Sequence, residues 1–242
     1  MHAIAERRPR WRVFLLLARV SNLPTVWSNV LAGMVGGWTA TFAPAFEPWA
    51  IAPLLVAASA FYTGGMFLND AFDAPVDRHQ RPERPIPRGD IGLTEAFAIG
   101  GALLLLGAAL LWPNPQALLL GVALAVAVVF YDFRHKGNAF APLVMGACRG
   151  LVYLIAAATA TALSTAVAAG AAVMVLYVAG LTVVAKRAGE NARWLVPALI
   201  AGISLVDAVF IVVVRPDAFL LALLAAVGFP LTLFLQRWVP GD

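Results

Sequence analysis

The sequence predicts an all-helical bundle set in a lipid bilayer, and three observations carry that expectation. Of its 242 residues, 62% are hydrophobic and 12% charged, and the mean hydropathy is +0.85. A soluble domain carries about twice that charged fraction, so lipid is the solvent for most of this chain. Apolar stretches of about 20 residues, the length that crosses a bilayer, recur eight times. Lysine and arginine gather in alternate connections between them, the asymmetry that orients helices in a membrane.

The first segment, 11–38, follows Arg7, Arg8, Arg10 and Arg12. A basic start before an apolar run imitates a signal peptide. No small-residue cleavage site follows and the run is long enough to span, which predicts a retained helix. The second segment, 49–70, begins after Pro44 and Pro48, and the third, 92–112, after the Pro82/Pro85/Pro87 loop. Pro113-Asn114-Pro115 separates 116–133 from it, and Gly137-Asn138 precedes 140–161. Ser164 opens 164–186, Gly189-Glu190-Asn191 precedes 193–214, and Arg215-Pro216-Asp217 precedes 217–238. Every break carries turn-forming residues. The short connections make successive helices antiparallel neighbours. The small residues through 156–172 allow close helix approach. No linker or shift in composition divides the chain, so residues 1–242 are expected to form one domain.

Placing the N-terminus in the cytoplasm puts fourteen of seventeen Lys/Arg on that side. They are Arg7, Arg8, Arg10, Arg12, Arg78, Arg81, Arg84, Arg88, Arg134, Lys136, Lys186, Arg187, Arg193 and Arg237. Arg215 lies opposite, and Arg19 and Arg149 fall inside spans. Both termini and the 69–89 loop are therefore expected in the cytoplasm, in a protein of the cytoplasmic or inner membrane. A net charge of +4 dispersed over such loops is no nucleic-acid footprint. The single cysteine, Cys148, excludes an internal disulfide.

The chemistry concentrates after the second span, where Asn69, Asp70, Asp73 and Asp77 precede Arg78, Arg81, Arg84 and Arg88. Positions i, i+3 and i+7 lie within about 60° of one another on an unbroken helix. Three carboxylates on one stripe at a membrane edge are costly unless a cation joins them. All-oxygen ligation suits Mg²⁺, which keeps waters and accepts phosphate oxygens, and the neighbouring guanidiniums suit the same phosphate. The residues together point to a Mg²⁺-diphosphate site. Pro75 interrupts this stretch and predicts a kink or an end to the helix there. Buried guanidiniums are expensive in lipid, so Arg19 and Arg149 are expected to face a cavity or an acidic partner. Asp207, deep in the seventh span, is a functional candidate with no assigned partner; Arg215 is two turns away.

Asn69-Asp70-x-x-Asp73-x-x-x-Asp77, followed by Arg81-x-x-Arg84-Pro85 and Gly89, resembles the first signature of the UbiA superfamily of intramembrane prenyltransferases. The resemblance implies a helical bundle whose central cavity opens to the cytoplasmic side. Mg²⁺ on Asp70, Asp73 and Asp77 would there hold the diphosphate of an isoprenyl donor, with Asn69 orienting an oxygen. Arg19-x-x-Asn22 is similar to the family's cavity-facing Arg and Asn. Tyr131 with Lys136 is similar to a Tyr-x-x-x-Lys element, although His135 holds the lysine's place. Arg19, Asn22, Arg81, Arg84, Lys136, Arg149 and Lys186 are thus expected to bind diphosphate, with Tyr131 beside the reacting carbon and Phe72 and Trp27 as further cation-stabilising rings. The family's second acidic signature is missing: the stretch 181–191 holds Lys186, Arg187 and Glu190 but no aspartate, so either Lys186 or Arg187 contacts diphosphate in place of a second metal, Glu190 alone holds a weaker ion, or the basic pair only anchors the helix end beside a one-metal site.

The expected activity is Mg²⁺-dependent transfer of an isoprenyl group from an allylic diphosphate to an aromatic or other lipophilic acceptor within the bilayer. A membrane terpene cyclase would use the same ionisation without an acceptor. A carrier would also place charge in a bundle, but the acids gather at one end and no inverted repeat is visible. The missing second signature also leaves open a non-catalytic family member serving as an assembly partner.

Overall fold

The computed structural model describes residues 8–38, 48–134, 138–160, 163–187 and 192–241. Lys136 and Glu190 lie outside the described residues. The regular structure consists of helices: α1 (Arg10–Ala18), α2 (Leu23–Gly37), α3 (Pro48–Gln80), α4 (Pro85–Arg88), α5 (Leu93–Leu110), α6 (Pro115–Arg134), α7 (Ala141–Ala160), α8 (Thr165–Arg187), α9 (Ala192–Val214) and α10 (Phe219–Gln236). Seven of them, α3 and α5 to α10, are long and apolar enough to cross a membrane by length and composition.

The segment expected as a first unbroken span is broken. α1 stops at Arg19, whose backbone is left-handed (φ 43°, ψ 50°), and a 3₁₀ turn over Val20–Asn22 leads into α2. Pro24 explains the position of the break. Without an N–H it cannot continue a helix arriving from α1, yet it fits the first turn of a new one. Pro75 does not end its helix, because α3 runs through it to Gln80. The helix beyond it is held from outside: Arg81 and Arg84 close on the Asp77 carboxylate. The Arg81 amide bonds the Asp77 carbonyl at 2.8 Å. Proline is tolerated in a packed membrane helix where neighbours compensate the lost bond.

α2 is the axle of the bundle. Twelve of its fifteen residues are buried, the mark of a helix surrounded on all sides. One core joins α2 to α3, α5, α6 and α7 through Val26, Val30, Phe61, Leu124 and Val152. A second joins it to α7, α8, α9 and α10 through Leu31, Tyr153, Met174 and Ile211. A third seats α1 on α3 and α5 through Leu17, Phe67 and Ala96. Backbones meet where the sequence supplies glycine: a Cβ at Gly33 would stand 2.5 Å from the Tyr153 carbonyl oxygen. This contact presses α2 against α7.

Turn chemistry sets the joints. Asn114 caps α6, its Oδ1 accepting from the Ala117 amide at 2.9 Å, and Ser164 caps α8 in the same way through the Val167 amide at 3.1 Å. Gly89 closes α4 with φ 82°, a conformation that glycine adopts without penalty. The turn it makes carries Asp90 between Arg8 and Arg88, at 3.8 and 3.6 Å.

Candidate active site

Helix periodicity brings the acids of α3 to one face. Asp70, Asp73 and Asp77 are 6%, 5% and 1% exposed, so three carboxylates are buried along a single stripe. The guanidiniums come from three directions. Arg19, turned inward by the left-handed break, gives Nη2 to Asp70 Oδ1 at 2.9 Å and Nη1 to Met66 Sδ at 3.2 Å. Arg84, from the loop before α4, gives Nη1 to Asp70 Oδ1 and Asp77 Oδ2, each at 3.1 Å. Arg81 lies one turn after Asp77, its Nε 3.1 Å from Oδ1.

A further carboxylate faces this stripe from α6. Asp132 is buried and accepts a hydrogen bond from Asn69 Nδ2 at 3.1 Å. The family resemblance singles out its neighbour Tyr131 instead. Its signal in the sequence is an acid inside an apolar span.

Behind the acid-arginine cluster lies a cavity of about 190 Å³. Arg19, Asn22, Tyr131, Asp132 and Arg149 line it, together with Tyr62, and its remaining wall is largely apolar, including Val26, Ala58, Phe61, Leu124 and Val152. Asn22 donates to the Tyr62 hydroxyl at 3.0 Å and to the Gly241 carbonyl at 2.8 Å, and accepts from Gln236 at 3.0 Å. Asp70, Asp73 and Asp77 do not line the cavity, and Asp70 is joined to it through Arg19. Arg81 and Arg84 reach the carboxylates from the loop side. Lys186, in the last turn of α8, is exposed and outside the cavity wall. Phe72 packs against Phe97 and Phe133, and Trp27 bonds Ser59 at 2.9 Å; neither lines the cavity.

Asp207, with no partner assigned from sequence, proves to be fully buried and highly bonded. It accepts from Ser28 at 2.5 Å, from Asn29 Nδ2 at 3.0 and 2.8 Å, and from the Tyr153 hydroxyl. Arg149 has the first of the two environments expected of it, a cavity, and among the described residues it contacts no acid directly. It lines the cavity, stacks over Tyr62 at 5.4 Å, and donates to Asn29 Oδ1 at 2.9 Å and Thr25 Oγ1 at 3.1 Å.

Among the described residues no three His, Cys, Asp or Glu side chains are grouped so as to hold a metal ion. The donor chemistry nevertheless fits Mg²⁺. It needs only one or two protein carboxylates alongside phosphate oxygens and water, and Asp70, Asp73 and Asp77 offer oxygen alone at a buried stripe.

A polytopic helical bundle with a charged mouth over an apolar chamber is an arrangement for holding an amphiphile by its anionic head. The chain matches the model of the UbiA prenyltransferase family over residues 24–241 and belongs to that family. Its seven long apolar helices are those of an integral membrane protein. A stretch of 102 residues is 38% identical to digeranylgeranylglyceryl phosphate synthase of Ignicoccus hospitalis, covering 42% of this chain and 31% of that protein. The matched stretch thus spans about a third of that curated relative's length. A solved structure concerning digeranylgeranylglyceryl phosphate synthase in membranes superposes with TM-score 0.64 at 20% identity, covering 95% of this chain and 88% of the other. A UbiA homologue from Archaeoglobus fulgidus bound to GPP and Mg²⁺ superposes with TM-score 0.61 at 16% identity, covering 93% and 86%. At those identities the likeness is one of fold.

Proposed function

We propose that this chain is a Mg²⁺-dependent intramembrane prenyltransferase, acting as a single domain, that moves an isoprenyl group from an allylic diphosphate to a lipophilic acceptor. The observation that carries this reading is Arg19, which lines the apolar cavity and at the same time contacts Asp70 at 2.9 Å. It joins the acidic stripe to the chamber that would hold the isoprenyl chain.

Asp70, Asp73 and Asp77 are the residues that would hold Mg²⁺, which when bound neutralises charge on the diphosphate. Arg19, Arg81 and Arg84 bind diphosphate oxygens, exchanging part of their carboxylate contacts for the ligand. Lys136, which follows α6 in the sequence, is proposed to join them. Fixed guanidiniums aimed at the leaving group stabilise the charge it gains in a low-dielectric site. The C–O bond of the donor then breaks with its electron pair passing to diphosphate. The acceptor's electron pair forms the new bond to carbon, and the acceptor gives up a proton. Asp132, the carboxylate in the cavity wall, takes that proton while Asn69 orients it. The apolar wall excludes water, and the rings of Tyr62 and Tyr131 face the developing allylic cation. The basic connections support a mouth on the cytoplasmic side.

The name of the curated relatives makes a phosphorylated glycerol lipid the first acceptor to try. Purified protein is to be incubated with Mg²⁺, allylic diphosphates of several lengths, and either that lipid or a membrane-lipid extract. Mass spectrometry should show an acceptor heavier by one isoprenyl group. A cyclised hydrocarbon from donor alone identifies a cyclase instead, and solute flux in proteoliposomes without any product identifies a carrier.

A further inference from the structure

Arg149 balances its charge differently from the arginines at the mouth. Arg19 and Arg84 touch carboxylates directly. Among the described residues Arg149 touches only neutral groups: Asn29 Oδ1, Thr25 Oγ1 and the ring face of Tyr62. Its counter-charge is Asp207, and the Asn29 side chain separates the two. The Asn29 oxygen accepts from Arg149 at 2.9 Å while its amide nitrogen donates to both Asp207 oxygens, at 3.0 and 2.8 Å. Ser28 and the Tyr153 hydroxyl occupy the same carboxylate.

A guanidinium buried only for packing gains most from a bidentate carboxylate. Here the carboxylate is saturated by neutral donors and held off. The negative charge still stabilises Arg149 through a low-dielectric interior, while the guanidinium face in the cavity wall stays open. The described hydrogen bonds use one N–H on each of Nη1 and Nη2, out of five donors. The position is also separate from the mouth. Tyr62, beneath Arg149, precedes Asp70 by eight residues of α3, about 12 Å along the helix axis at ~1.5 Å per residue. Arg19 lies between the two levels, against Met66 one turn from Tyr62, so Arg149 sits deeper in the cavity than the acidic stripe.

We infer that Arg149, expected from the sequence to bind diphosphate, is instead a second anion-binding point in the cavity, backed by Asp207 through Asn29, which takes the compact phosphate or carboxylate head of the acceptor. The word acceptor rests on the prenyltransferase reading; the anion site itself does not. The ligand is an amphiphile, because the walls around this one cation are apolar: Val26, Ala58, Phe61 and Val152. Asp207 is a positioning residue in this arrangement, since it acts through Asn29.

The test uses titration calorimetry on the full chain in detergent, with empty micelles subtracted. The probes are n-decyl phosphate, decanoate, decanol and geranyl diphosphate with Mg²⁺. Wild type is expected to bind one of the two anions at least tenfold more tightly than decanol, and the preferred anion identifies the head. Arg149→Gln should bring that preference below threefold, Arg149→Lys should keep most of it, and both should bind Mg²⁺-geranyl diphosphate within threefold of wild type. In wild type the preferred anion and Mg²⁺-geranyl diphosphate should bind together. That competition experiment decides the matter even where Arg149→Gln fails to fold. Mutual exclusion of the two ligands, no preference for an anion in wild type, or equal weakening of geranyl diphosphate in Arg149→Gln overturns the inference. A wild-type protein that ignores geranyl diphosphate but keeps the anion preference sinks the prenyltransferase reading and leaves the anion site standing.

Discussion

Arg19 and Asp70 are separated by 51 residues and meet at 2.9 Å. The contact exists because α1 stops in a left-handed residue, which swings the arginine off the helix it would otherwise continue. A non-glycine residue in that region is uncommon, and it persists only where surrounding contacts hold it. Here the hold is ionic: the same guanidinium that strains the backbone neutralises the first acid of the stripe and borders the chamber.

Arg84→Ala should destabilise the protein by about 3 kcal/mol, because it leaves Asp70 and Asp77 short of a shared buried cation. Chemical unfolding in detergent measures this. Added Mg²⁺ should raise the melting temperature of this variant more than that of wild type. Equal responses to Mg²⁺ would argue that the freed carboxylates do not take the ion.

Tyr153→Phe removes one donor from the fully buried Asp207 while keeping the ring packing. The expected loss is about 1–3 kcal/mol, the cost of a buried acceptor deprived of a partner. Unfolding free energies for the two proteins under one detergent condition check it. An unchanged stability would show that the Ser28 and Asn29 donors alone satisfy the carboxylate.

Gly33→Leu and Gly101→Leu separate packing from composition. A side chain at Gly33 drives into the Tyr153 backbone, whereas one at Gly101 meets nothing within 4 Å. The first should cost about 3 kcal/mol or prevent folding, and the second should be nearly neutral. Thermal melts of both variants test it, and comparable losses would contradict the close approach of α2 and α7.

The fold class was legible from apolar length, and the acidic stripe from its spacing, because both are periodic properties of a single helix. What stayed hidden depended on contacts between helices. The i, i+3, i+7 pattern located Asp70, Asp73 and Asp77 correctly on one buried face. Pro75 suggested an interruption because local chemistry is blind to Arg81 and Arg84 gripping Asp77 from the following loop. The break at Arg19 had a local signal in Pro24, which the unbroken apolar run 11–38 masked. Asp207 stood out as an intramembrane acid, but its partners Ser28, Asn29 and Tyr153 sit on α2 and α7, far away in sequence. Asp132 needed the opposing Asn69 on α3 before it could be seen as part of the site.

Asp70→Asn tests the central claim most directly, by Mg²⁺-dependent binding of geranyl diphosphate to the purified protein. The variant should fold and insert as wild type does. Its affinity for the Mg²⁺-diphosphate should fall at least tenfold, with product formation abolished. Wild-type affinity and turnover in Asp70→Asn would contradict the assignment of the α3 acids to the metal-diphosphate site.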